Sequence, residues 1–163
     1  FGICAIMLSV TVLCVGKLKE NYLREGVAEY AKRLSRFCKF SVHEVAEEPL
    51  ASESAADVET VKEREGQRLL AQMSGYAIAL CIEGKQLSSP EFSALLTALP
   101  SSGVSKVTLI IGGSYGLSPQ VIARADARVS FGKVTYPYQL MRLILTEQIY
   151  RAFMIAGGGS YHK

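Results

Sequence analysis

The chain of 163 residues has only two histidines, His43 and His162, and four cysteines, Cys4, Cys14, Cys38 and Cys81, none of them in a C-x-x-C pair. That scarcity leaves few ligands for a zinc site, so no metal is expected. The cysteines sit among apolar neighbours, where a free thiol behaves as a small core side chain, and a reduced, cytoplasmic protein follows as the expectation. No stretch reaches the roughly 18 consecutive apolar residues of a membrane helix, which argues against a membrane partner. The opening FGICAIMLSVTVLCV comes nearest, but it has no basic start and no clear small-residue cleavage site. Its alternation through Val10, Thr11, Val12 and Leu13 is that of a buried strand. Met7 is read as the natural start, with residues 1–6 an extension and 7–163 one domain.

Strong net charge is also missing: the sum is only +3. Its distribution is uneven. Eight acidic residues lie between Glu44 and Glu65 against Lys62 and Arg64; of the chain's 18 basic and 15 acidic residues, 16 and 7 remain outside that segment, a balance of +9. A surface of that sign suits a polyanion, although a solvated basic surface beside one acidic helix explains it equally well.

What is present is an alternation of strand-like and helix-like segments. A first strand over about Leu8–Val15 is followed by NYLREGVAEYAKRLSRF, whose Leu23, Val27, Tyr30, Ala31 and Leu34 share one helical face. KFSVHEV alternates as a strand, AEEPLASESAAD is a polar loop and VETVKEREGQRLLAQM a charged helix. The buried strand YAIALCI precedes a helix with Ser89 as N-cap, Pro90 in its first turn and Glu91 near its positive end. KVTLII is another buried strand, Ser118-Pro119 begins the next helix, ARVSF is a short strand and YQLMRLILTEQIYRAFMI a long last helix. Such an order predicts an α/β domain with a mainly parallel sheet and helices on both faces.

Three stretches stand out. GGSYG follows the KVTLII strand, at the strand end where ligands of such sheets bind. Gly112 and Gly113 either make a tight turn or let a ligand lie against bare backbone; neither nucleotide fingerprint, G-x-G-x-x-G nor G-x-x-x-x-G-K-[ST], is present. The last helix is apolar nearly all round, which predicts burial against the core on one side and a second subunit on the other, hence a homodimer. Within it Arg142 is a candidate phosphate contact, whereas Arg151 has Glu147 four residues before it as an ion-pair partner. The end, AGGGSYHK, joins a mobile glycine run to Tyr161, His162 and Lys163, residue types suited to stacking, proton transfer and phosphate attraction.

Taken together, VLCVGKLKENYLREGVAEYAKRL, VKEREGQRLL, IEGKQLSS, LIIGGSYGLSP, FGKVTYPYQLMRLILTEQIYRAF and the closing YHK resemble the RlmH family over Met7–Lys163. Members of that family are SPOUT-class enzymes that use S-adenosylmethionine to methylate N3 of a pseudouridine in bacterial large-subunit ribosomal RNA. The resemblance implies a C-terminal trefoil knot whose loops hold the cofactor, an exception to the rule against threaded chains. It carries cofactor binding to Leu80, Gly112 and the run Phe131, Gly132, Lys133, Val134, Thr135 and Tyr136, with Gly113 added by the glycine-turn reading. It implies a tail that completes the RNA site beside the partner subunit's cofactor pocket. His162 is then the candidate base, Tyr161 stacks on or orients the target ring, and Arg142 and Lys163 contact phosphate or carbonyl groups. The implied substrate is ribosomal RNA in the assembled ribosome.

Two positions depart from the family pattern. Tyr138 follows Pro137 where many members carry histidine, and Cys81 follows Leu80 where an acidic residue is frequent. Two other functions remain open: a SPOUT enzyme acting on another RNA such as tRNA, and a non-catalytic ribosome- or RNA-binding dimer with a degenerate pocket.

Overall fold

A computed structural model describes residues 7–163; the six-residue extension expected before Met7 lies outside them. In chain order the elements are β1 (Ser9–Val15), α1 (Asn21–Leu34), β2 (Lys39–Val45), α2 (Ala55–Gln72), β3 (Tyr76–Gln86), α3 (Ser89–Thr97), a 3-10 turn (Pro100–Ser102), β4 (Lys106–Ile111), α4 (Pro119–Arg124), β5 (Ala127–Ser130) and α5 (Tyr138–Ala156). The five strands form one sheet in the order β2-β1-β4-β3-β5, and every neighbouring pair is parallel. The α/β sheet read from the sequence is the one observed.

The period of two along each strand divides the core between the two faces. Val10, Val12 and Cys14 of β1, with Val107, Leu109 and Ile111 of β4, pack under α1, α3 and α5 through Leu34, Phe92, Leu96, Leu145 and Ile149. Leu13, Val15 and Ile110 point the other way, to Leu69 of α2 and Val121 of α4. Each fully buried Leu or Ile contributes about 1.5–3 kcal/mol to this arrangement.

Two local features differ from the sequence expectation, the cap of α3 and the end of β3. Ser118 caps α4 as expected, accepting from the Val121 N–H at 3.4 Å. For α3 the cap is Ser88, not Ser89: Ser88 accepts from the Glu91 N–H, and the Glu91 carboxylate accepts from the Ser88 N–H at 2.9 Å. That closes a capping box, and Ser89, one residue inside the helix, donates instead to Gln148 of α5 at 2.8 Å. The strand expected to stop at Ile82 runs on to Gln86, with a register shift against β5 between Leu80 and Lys85.

The last helix is flanked within its own chain by the sheet, α1 and α3. Leu145 and Ile149 pack into the core under the sheet, Tyr150 meets Tyr30 of α1 and Phe37, and Leu140 and Leu143 pack on Leu18, Leu23 and Val27 beside α1. On the α3 side Ser93 donates to the Ala152 carbonyl at 2.6 Å. These intramolecular neighbours bury part of the helix's apolar surface, and Leu140, Met141, Leu143, Ile144, Met154 and Ile155 remain half-buried.

Candidate active site

The end of β4 answers what the glycine turn is for. After Ile111 the chain doubles back on itself, with the Gly116 N–H bonded to the Gly113 carbonyl at 3.1 Å and Gly116 at φ +85°. A Cβ on Gly112 would lie 2.6 Å from the Gly116 carbonyl carbon and 2.9 Å from the Leu117 nitrogen. The bare position is thus filled by the chain's own returning backbone. Behind Gly113 stands Glu65 of α2, whose Oε1 would come within 2.8 Å of a Cβ there. That carboxyl is 5% exposed; Oε2 accepts from the Glu48 N–H at 3.1 Å, and Oε1 has no partner. Burial, more than any neighbour, raises its pKa above the usual carboxylate range.

The turn forms one wall of a cleft of about 670 Å³ at the carboxyl ends of β3, β4 and β5. Leu80, Ile111, Val129 and Phe131 supply apolar walls, Met141 and Tyr138 close it from the first turns of α5, and Lys62, Glu83 and Arg128 bring charge to its edge. Four side chains on the cleft are apolar or aromatic yet open to solvent: Ile82, Tyr115, Val134 and Tyr136. Of the nine residues expected to hold a cofactor, Leu80, Gly112, Gly113, Phe131, Gly132, Val134, Thr135 and Tyr136 line this cleft; Lys133 is exposed and does not. Cys81 is also in the lining, its thiol kept protonated by burial first and by Glu83 second.

The remaining expected residues lie elsewhere. Arg142 is 1% exposed, so the structure corrects its reading as a surface phosphate contact. Its guanidinium meets Glu44 at the end of β2 and donates to the carbonyls of Val15 and Gly16, at 3.3 and 2.8 Å, where β1 ends. Tyr161, His162 and Lys163 follow the opposite end of α5. The Tyr161 hydroxyl donates to Glu147 at 2.9 Å, and its ring packs edge-on against Tyr150 and under the Arg151 guanidinium. Its phenol pKa is raised, by burial foremost and then by its bonds to Tyr30 and Glu147. Arg151 pairs with Glu147 at 2.6 Å as expected and donates to His162 Nδ1 at 3.0 Å. Because arginine only donates, Nδ1 is the acceptor and the imidazole proton sits on Nε2. Along α5 the rise from Met141 at the cleft is about 9 Å to Glu147, which holds Tyr161, and about 15 Å to Arg151, which holds His162.

Sequence reasoning missed Lys62, Glu83 and Arg128 as well as the exposed apolar rim. Residues in three separate elements converge there only through the strand order, and no local pattern marks them. Among the described residues no group of His, Cys, Asp and Glu is placed to hold a metal ion, and no helix is long and apolar enough to cross a membrane.

The sequence has close relatives. Ribosomal RNA large subunit methyltransferase H from Ligilactobacillus salivarius (strain UCC118) is 52% identical over 159 residues, covering 96% of this chain and 100% of the relative. The protein of the same name from Latilactobacillus sakei subsp. sakei (strain 23K) is 53% identical with the same coverage. In fold the chain is similar to the structure of a probable methylase family protein from Haemophilus influenzae Rd KW20, with a TM-score of 0.53 and 8% identity over 94% of this chain and 70% of that one. The family profile described as "Predicted SPOUT methyltransferase" matches residues 8–162. From the first strand to the tail, the chain belongs to the SPOUT methyltransferases, in the family of ribosomal RNA large subunit methyltransferase H.

Proposed function

We propose that this protein is a cytoplasmic homodimer that methylates N3 of a pseudouridine in large-subunit ribosomal RNA within the assembled ribosome, using S-adenosylmethionine. The observation that carries the reading is the cleft: its volume suits a nucleoside-bearing cofactor, its walls are largely apolar, and Gly116 of the glycine turn has open space where a Cβ would stand. When bound, S-adenosylmethionine supplies a sulfonium methyl open to in-line displacement by a ring nitrogen. Main-chain groups of Gly112–Leu117 would hold the polar edge of that cofactor, and Leu80, Ile111 and Phe131 would give its apolar parts cover. The segment between β4 and α5 provides the glycine turn and the Phe131–Tyr136 loop of the cleft, and its threading into a trefoil knot is part of this proposal.

The chain's other task is to position the target base and remove the N3 proton. Tyr161 and His162 are the residues of suitable chemistry, with Lys163 for phosphate, yet their bonds to Glu147 and Arg151 hold them two or more helical turns from the cleft of their own protomer. A second copy brings its tail to this cleft and covers the exposed Ile82, Tyr115, Val134 and Tyr136. On leaving its resting place His162 gives up its bond from Arg151, which frees Nδ1 to accept a proton.

Two other functions share features with this one. A family member acting on tRNA keeps the cleft and differs only in substrate, whereas a non-catalytic dimer binds RNA in a salt-dependent way without cofactor. Incubation with methyl-labelled S-adenosylmethionine and assembled ribosomes, free large-subunit RNA or bulk tRNA separates them. Label found as N3-methylpseudouridine with ribosomes alone is the expected result. Label in tRNA overturns the substrate; no transfer and no cofactor binding by calorimetry overturn the enzyme.

A further inference from the structure

We infer that Tyr138, backed by Glu47, is a hydrogen-bond acceptor site for an N–H donor in the cleft; the inference rests on the methyltransferase reading above. Tyr138 opens α5 directly after Pro137 and lines the cleft with Met141. Its hydroxyl donates to Glu47 Oε1 on the connection between β2 and α2. That carboxylate oxygen is seated over Gly16, at a point 2.6 Å from where a Cβ would stand.

The neighbouring carboxylates are already matched to cations. Glu44 pairs with Arg142, and Glu48 with both Arg64 and Arg68. Glu47 makes no ion pair among the described residues, and its one side-chain hydrogen-bond donor there is a neutral phenol. A phenol has one proton, and here it is committed to Glu47. What the oxygen can still offer is lone pairs, made more basic by the charge-assisted bond behind them. Burial first, and the bond to Glu47 second, raise the phenol pKa, so the group stays protonated. Ser114 of the glycine turn, which also lines the cleft, and Gln139 lie close enough to donate to this oxygen, so an N–H ligand there takes the place of one of them beside the wall where the cofactor is proposed to bind.

Two donors of this chemistry meet in such a cleft: the ammonium of the cofactor's amino-acid end and the ring N–H of the target base. The test compares Tyr138→Phe, Glu47→Gln and the double variant with the unchanged protein. The readouts are S-adenosylmethionine Kd by calorimetry, kcat/KM for ribosomes at saturating cofactor, and Tm. Tyr138→Phe is expected to lose about tenfold in one of the first two quantities, with Glu47→Gln losing less in the same one. The double variant is expected to lose no more than Tyr138→Phe alone, because Glu47 acts through the phenol. A weaker Kd, shared by S-adenosylhomocysteine, identifies the ammonium. An unchanged Kd with reduced kcat/KM identifies the base. Losses that multiply in the double variant, or a Tyr138→Phe protein equal to the unchanged one in both quantities, overturn the inference alone. If the unchanged protein itself binds no cofactor, the methyltransferase reading falls and the acceptor site falls with it.

Discussion

Replacing Gly112 with alanine adds a methyl group where the chain has already placed its own backbone. The new Cβ would meet the Gly116 carbonyl carbon at 2.6 Å, its oxygen at 2.8 Å and the Leu117 nitrogen at 2.9 Å. These are main-chain atoms and cannot swing aside as a side chain would, so the turn must open by roughly 1 Å to reach van der Waals distance. Overpacking of this kind costs about 1–3 kcal/mol, and strain on the bond between the Gly116 N–H and the Gly113 carbonyl adds about 1 kcal/mol. At about 2–4 °C per kcal/mol for a domain of this size, Tm falls by about 4–16 °C. The displaced backbone is a wall of the cleft, so S-adenosylmethionine affinity falls by about tenfold or more, equivalent to about 1.4 kcal/mol. Gly103→Ala is the control. Gly103 has φ +84° with no atom within 4 Å of an added Cβ, so its cost of about 1–2 kcal/mol is conformational and leaves the cleft alone. Gly113→Ala falls between the two, because its nearest obstacle is the end of the Glu65 side chain. Scanning calorimetry and cofactor titration on the same preparations provide the readout. A Gly112→Ala protein that melts and binds cofactor like the unchanged chain would refute the close-approach reasoning, as would a Gly103→Ala protein with an equal loss of affinity.

Arg142→Ala removes a buried guanidinium from Glu44 and from two carbonyls at the end of β1; a loss of about 3 kcal/mol is expected, read as a lower midpoint in urea. Glu65 has its pKa raised by burial, so its ionisation works against the native state and stability falls as pH rises from the usual carboxylate range through the raised value. Glu65→Gln flattens that part of the profile of Tm against pH. His162→Ala is expected to slow methyl transfer by about a hundredfold or more in single-turnover assays while S-adenosylmethionine Kd stays unchanged. Mixing a Gly112→Ala protein with one truncated after Gly157 restores part of the activity that each lacks alone, if the tail of one protomer serves the cleft of the other; homodimers that stay separately inactive after exchange would contradict that arrangement.

The fold was legible because it rests on short-range patterns. Alternation in VTVLCV and KVTLII marks strands buried on both faces, and Leu23, Val27 and Leu34 mark the inner face of α1. Even the misplaced cap was within reach: Ser88-Ser89-Pro90-Glu91 has the S-x-x-E spacing of a capping box, which selects Ser88 over its neighbour. The continuation of β3 was not legible, because Cys81–Gly84 fall in the register shift and break the alternation that identifies a strand.

The cleft was legible for a different reason, and its limits follow from that reason. Gly112 and the run after Phe131 could be singled out because family motifs and glycine both record a demand made on the backbone at one place in the chain. Arg142, Glu47 and the tail answer demands made by segments distant in sequence. Arg142 lies in an apolar helix with nothing nearby in sequence to accept its charge, and its partner, Glu44, is 98 residues away. Glu47 is one acidic residue among eight between Glu44 and Glu65, and only the placement of Tyr138, 91 residues later, distinguishes it. The apolar residues of α5 are shared among the sheet, α1 and α3, and several stay half-buried. The proposed dimer draws on another observation, a helix that holds Tyr161 and His162 beside Glu147 and Arg151, about 9–15 Å along its axis from Met141 at the cleft. A site completed by a second copy explains both the distance and the solvent-exposed apolar rim, whereas a self-sufficient monomer leaves each without a use.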